Sequence, residues 1–83
     1  MTMANGARLV FLGRLEDLAG MAELSVPTGP LEQVLAGLDR ELAVALLDDR
    51  VRLALNGRLL AESGGITLGT GDELAFLPPV SGG

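Results

Sequence analysis

The sequence predicts an α+β fold, a mixed five-stranded sheet packed on one main helix, and three features carry that prediction. Apolar residues between positions 31 and 42 recur at helical spacing, and five short runs of strand formers flank that stretch, two before it and three after. An Asn-Gly pair joins two of the later runs, as a tight hairpin requires. A chain of 83 residues closes only one hydrophobic core, so residues 1–83 are expected to form a single domain.

Residues 8–12, RLVFL, form the first strand, with Leu9 and Phe11 on one face and Val10 and Leu12 on the other. A central strand buried on much of both faces is expected there. From Arg14, Leu15, Leu18 and Ala19 fall at helical spacing, and Gly20 stops a helix of one or two turns. Residues 22–27 alternate, placing Leu24 and Val26 against the core and Glu23 and Ser25 in water, until Pro27 ends the run. This second strand pairs with the first as a hairpin.

The main helix is expected to open with Thr28 or Gly29 at its cap, Pro30 at the first helical position and Glu32 in the first turn, where the helix dipole favours an anion. Leu31, Val34, Leu35, Leu38 and Leu42 make the apolar stripe, and Glu32, Gln33, Asp39 and Arg40 face water. The stripe continues or restarts through Leu46 and ends at Asp48 and Asp49. Gly37 costs ~1 kcal/mol inside a helix and is the candidate bend. Residues 51–55 and 58–60 then flank Asn56-Gly57, a type I′ hairpin signal, since both central residues of that turn need positive φ. A glycine-rich connection carrying Ile66 and Leu68 leads to the last strand, ELAFL, with Leu74 and Phe76 opposed to Ala75 and Leu77. Strand, strand, helix and three strands in that order make the β-grasp, or ubiquitin-like, arrangement.

Composition narrows the chemistry. Cys, His, Lys, Tyr and Trp are absent, which excludes disulfides, thiolate or imidazole metal sites, and most nucleophiles and general bases. Ser25, Ser63 and Ser81 have no imidazole or amine to activate them. No residue is expected to bind a cofactor or a metal. The net charge of −5, from 11 acids against 6 arginines, has the wrong sign for a nucleic-acid partner, and the arginines read as solvated or rim charges. The longest apolar run, residues 42–47, is far below the ~20 residues a bilayer demands, and the N-terminus lacks the regions of a signal peptide. No membrane and a cytoplasmic location are expected.

The chemistry that remains is at the C-terminus. Residues 78–83 read PPVSGG: Pro78 and Pro79 stop the ladder and fix an extended exit, because Pro79 also bars Pro78 from the helical region. Beyond Val80, the residues Ser81, Gly82 and Gly83 carry little or no side chain. Such a flexible tail, extended at ~3.3–3.6 Å per residue, threads a narrow tunnel and delivers the Gly83 carboxylate into another protein.

With the opening segment LVFLGRLEDLAG at residues 9–20, LNG at 55–57, GDELAFLPP at 71–79 and the final Gly82-Gly83, the chain resembles the MoaD family, the small subunit of molybdopterin synthase. The similarity covers nearly all of the sequence from Arg8, and the 71–79 segment is its most specific part. The resemblance implies a sulfur carrier whose active site lies on a partner. An E1-like adenylyltransferase would adenylate the Gly83 carboxylate with ATP, and a sulfur donor protein would supply the sulfur of a thiocarboxylate. The tail would then enter the large subunit of molybdopterin synthase and donate sulfur to cyclic pyranopterin monophosphate, forming the molybdopterin dithiolene. The chain itself would be a non-catalytic carrier subunit.

Family counterparts of Leu12, Leu59 and Leu77 dock onto the large subunit and the activating enzyme, although aromatic residues are common at the first and last of these. An exposed apolar patch beside the tail is therefore expected. Two other readings use the same carboxylate: the sulfur carrier of another pathway, such as thiamin thiazole synthesis, and a ubiquitin-like modifier conjugated through Gly83 to lysines on targets. Without lysine the chain offers no side-chain amine for such conjugation. A plain interaction domain with a frayed end is the remaining alternative.

Overall fold

A computed structural model describes residues 6–62 and 64–79. Strands β1 (Ala7–Phe11) and β2 (Glu23–Val26) flank helix α1 (Arg14–Ala19), and a two-residue strand β3 (Gly29–Pro30) leads into α2 (Leu31–Ala36) and α3 (Arg40–Leu46). Strands β4 (Arg52–Leu55), β5 (Arg58–Leu59), β6 (Thr67–Leu68) and β7 (Glu73–Leu77) complete the chain. Five strands form one sheet in the order β2-β1-β7-β4-β5, and β3 pairs with β6 in a separate two-stranded ladder.

The sheet is mixed because β1 and β7 run parallel at its centre, with Leu9 beside Leu74 and Phe11 beside Phe76, while the other pairs are antiparallel. This is the β-grasp arrangement expected from the sequence. Alternation sends Leu9, Phe11, Leu53, Leu74 and Phe76 to one face, where they are buried with Leu15, Leu31, Val34, Leu35, Leu42, Leu46 and Leu68 from the covering segments. The Phe11 and Phe76 rings stack at the centre, with centroids 5.9 Å apart and planes at 24°. Among the described residues no polar or charged side chain is buried.

Two expectations are corrected and two are refined. The first strand is buried on one face only: Val10 is half-buried and Leu12 exposed, because the helices cover a single side of the sheet. The main helix divides at its candidate bend into two helices. Hydrogen bonding gives out around Gly37, and Asp39 opens α3 by accepting from the N–H groups of Glu41 at 3.1 Å and Leu42 at 3.3 Å. The apolar stripe crosses that break, with Leu38 half-buried and Leu42 buried.

Pro30, expected as the first helical residue, instead holds an extended backbone (φ −59°, ψ 139°) and caps α2, displacing Thr28 and Gly29 from that role. The neighbouring ladder explains it: Pro30 lies opposite Thr67, and Leu31 donates to the carbonyl of Ile66 at 2.9 Å. The connection between the hairpin and the last strand is therefore not wholly irregular, since its residues 67–68 form β6.

The hairpin is as expected. Asn56 (φ 51°) and Gly57 (φ 85°) both adopt positive φ, and Ala54 lies opposite Leu59 and Leu55 opposite Arg58. Asn56 also ties the turn to β7: its side chain donates to Asp72 at 3.0 Å and accepts from the Glu73 N–H at 2.9 Å.

Candidate functional site: the root of the C-terminal arm and the open sheet face

Strand β7 is the central strand of the sheet, paired with β1 on one side and β4 on the other. A segment leaving its end therefore starts from backbone paired on both sides. The ladder runs out where the Leu12 N–H donates to the carbonyl of Phe76 at 3.2 Å. Pro78 and Pro79 follow, both half-buried, and neither has an N–H with which to continue it. Val80, Ser81, Gly82 and Gly83 lie outside the described residues.

The three leucines expected at a docking surface are not core residues. Leu12 is 40% and Leu59 59% exposed, and Leu77 is half-buried. Register shows how the sheet relates them. Val10 lies beside Ala75, Ala75 opposite Ala54, and Ala54 opposite Leu59, so one cross-strand row of small and apolar residues crosses the uncovered face. Leu77 stands two positions along β7 from Ala75, opposite Arg52, on that same face. Leu12, one residue past β1, adjoins it through the bond to Phe76. The sheet thus puts Leu12 and Leu77 at the arm's root and Leu59 at the far end of the row, with Val10, Ala54 and Ala75 extending the apolar face between them.

Charge on this face flanks the apolar row on both sides, with Arg52 opposite Leu77 and Arg8 beside Glu73. Arg8 sits one row away, bonded to Glu73 at 2.5 Å and 3.5 Å from Glu23, and these partners hold its guanidinium charged, the Glu73 hydrogen bond most strongly. The Asp72 carboxyl is held below the usual carboxylate range first by the N–H of Gly69 and then by the Asn56 amide. That of Asp48 is lowered by its hydrogen bonds from Arg50. These are solvent-accessible structural pairs.

On the helical side an open groove of about 490 Å³ runs beside the arm, lined by Leu15, Leu18, Ala45, Val51 and Pro79 with Arg14 at its rim. Asp17, Asp48 and Arg50 also line it, the last two paired with each other at 3.1 Å. Among the described residues no cluster of three carboxylates could hold a metal ion, and no helix is long and apolar enough to cross a membrane.

Sequence reasoning missed Gly13. Its backbone lies at φ 56° and ψ −133°, and a Cβ placed on it would stand 2.9 Å from Cγ of Pro78. The sequence signal was only a glycine between a strand and a helix.

Comparison with known proteins agrees with this architecture. The sequence model of the ThiS family matches residues 9–83, through the final glycine. The fold is similar to the crystal structure of SAMP1 from Haloferax volcanii, at 26% identity over 94% of this chain and 99% of that one, with a TM-score of 0.73. It is also similar to the solution structure of the small archaeal modifier protein 1 (SAMP1) from Methanosarcina acetivorans, at 22% identity over 99% of this chain and 100% of that one, with a TM-score of 0.74.

Proposed function

The chain belongs to the ThiS family, and from that premise we propose that it is a sulfur carrier that acts through the carboxylate of Gly83. The observation that carries this reading is the division of the molecule: a core with no buried ionisable side chain among the described residues, and a central strand that ends at Pro78-Pro79 and leads through Val80 into three residues with little or no side chain. A carboxylate is a poor electrophile. Attack of its oxygen on the α-phosphorus of ATP, with pyrophosphate leaving, converts it to an acyl adenylate. Sulfur delivered at the oxidation level of sulfide then replaces AMP and leaves a thiocarboxylate.

An E1-like adenylyltransferase would perform the first step and a sulfur donor protein would supply the second. ATP binds to the activating enzyme, and this chain brings the arm and the apolar sheet face with Leu12, Leu59 and Leu77. The finer assignment is the small subunit of molybdopterin synthase, supported by the segment GDELAFLPP and the closing Gly82-Gly83. In that role the thiocarboxylate enters the large subunit and gives its sulfur to cyclic pyranopterin monophosphate.

A second reading has its own support, because one of the similar structures is named a small archaeal modifier protein. There the same adenylate would end as an amide between Gly83 and a lysine of a target protein. Products separate the two. The intact mass is measured after incubation with ATP, an E1-like adenylyltransferase and a sulfide source, and again after adding the large subunit and the pterin precursor. A sulfur-for-oxygen gain, discharged only when both additions are present, supports the carrier. Lysine adducts in cell extract with no such gain would replace it by the modifier.

A further inference from the structure

We propose that Gly13 is a positioning residue for the C-terminal arm, a seat for the Pro78 ring that sets the direction in which the Gly83 carboxylate is presented. This rests on the reading that Gly83 is the activated group. Gly13 occupies the turn between β1 and α1, and it is held from both sides. The preceding Leu12 donates to Phe76 at 3.2 Å, the Leu15 N–H bonds to Leu12 at 3.1 Å, and the Glu16 N–H bonds to the Gly13 carbonyl at 3.0 Å. The turn is therefore fastened to the last rung of the sheet and to the first turn of the helix.

Two demands meet at this position. Its backbone, at φ 56° and ψ −133°, lies where L residues are excluded. The space on its Cβ side is already taken, since a Cβ there would stand 2.9 Å from Cγ and 3.7 Å from Cδ of Pro78. The proline ring thus rests on the bare Cα of Gly13. Because that ring also fixes its own φ, the place where it sits decides the heading of everything beyond it. Five residues follow Pro78 and span ~17 Å when drawn out in a partner's channel, so an error of ~10° at the root displaces the tip by ~3 Å. Misplacement of a reacting group by ~1 Å can cost ~10²-fold in rate.

The test is ATP–pyrophosphate exchange by an E1-like adenylyltransferase that activates the wild-type chain, read as kcat and KM for Pro78→Ala, Gly13→Ala and the double variant. Pro78→Ala deletes Cγ and Cδ, the two atoms that touch the seat. It is expected to lower kcat at unchanged KM, because the leucines of the sheet face are intact. Gly13→Ala should lower kcat further, by roughly tenfold or more. The double variant should lose less than the two single effects multiplied, since the added methyl then has nothing to strike and only the backbone strain of position 13 remains.

Effects that multiply in the double variant, or a wild-type kcat for Pro78→Ala, would overturn the proposal. Where Gly13→Ala fails to fold because of its positive φ, Pro78→Ala alone decides by the same kcat reading. A wild-type chain that supports no exchange with any such enzyme removes the functional reading itself. Wild-type exchange with indifferent variants removes only the role of Gly13.

Discussion

Replacing Phe76 tests whether the sheet is held at the place where β1 and β7 meet. Phe76 is 1% and Phe11 0% exposed, and the two rings stack at 5.9 Å beside Leu53 of β4, so one side chain ties three strands. Phe76→Ala removes a whole buried ring and is expected to cost about 3–5 kcal/mol, including most of the ring-to-ring contact. A chain of 83 residues has about 4–12 kcal/mol of stability in all, so that loss takes a large share of it. Phe76→Leu keeps most of the apolar volume and should cost about 1–1.5 kcal/mol, a fall in Tm of roughly 4–12 °C for a domain of this size. With no Trp or Tyr in the chain, urea unfolding is best followed by far-UV circular dichroism. A Phe76→Ala midpoint corresponding to a loss under ~1.5 kcal/mol, at unchanged slope, would refute the assignment of this stack as the centre of the core.

Leu59→Asp, on the open face at 59% exposure, should change stability by no more than ~0.5 kcal/mol while raising KM for the activating enzyme by about tenfold; a melt and an exchange assay check the two halves. At Asn56, with φ 51°, alanine carries a backbone penalty of ~1–2 kcal/mol that glycine escapes, and both lose the bond to the Glu73 N–H, worth ~0.5–1.5 kcal/mol. Denaturant midpoints should therefore rank wild type above Asn56→Gly above Asn56→Ala. The carboxyls of Asp72 and Asp48 bind protons less readily folded than unfolded, so their contribution is present above the ordinary value of 3.8 and is lost as pH falls through the lowered folded values. Asp72→Asn should flatten the decline of Tm below that pH, and an undiminished decline would assign it to other groups.

Most of the fold was legible because its elements bury one face each. Leu9, Phe11, Leu74 and Phe76 announce their strands by alternation, and Asn56-Gly57 announces its turn by the φ values it tolerates. The break at Gly37 could be named as a candidate but not decided, because Leu38 and Leu42 keep helical spacing across it; the further signal was Asp39, an N-cap type just before Glu41 and Leu42. The β3-β6 ladder, two residues on each side, is too short for any period to register. Within the site, the outer face could be read from the residues that alternate with the core. Gly13 could not, because its seat for Pro78 joins the two ends of the sequence and leaves no local pattern.

The parallel pairing of β1 with β7 has a consequence for the order of events in biosynthesis. Arg8 and Glu73 are neighbours although 65 residues apart, so the centre of the sheet combines the first strand translated with the last. Loop closure on that scale must precede any reward from the central ladder, which marks the protein as a slow folder for its length. A nascent chain halted before Glu73 has β1 and β2 with no middle strand to join them to β4. The apolar row from Val10 through Ala75 and Ala54 to Leu59 is therefore assembled only when β7 is free of the ribosome and can take its place between β1 and β4.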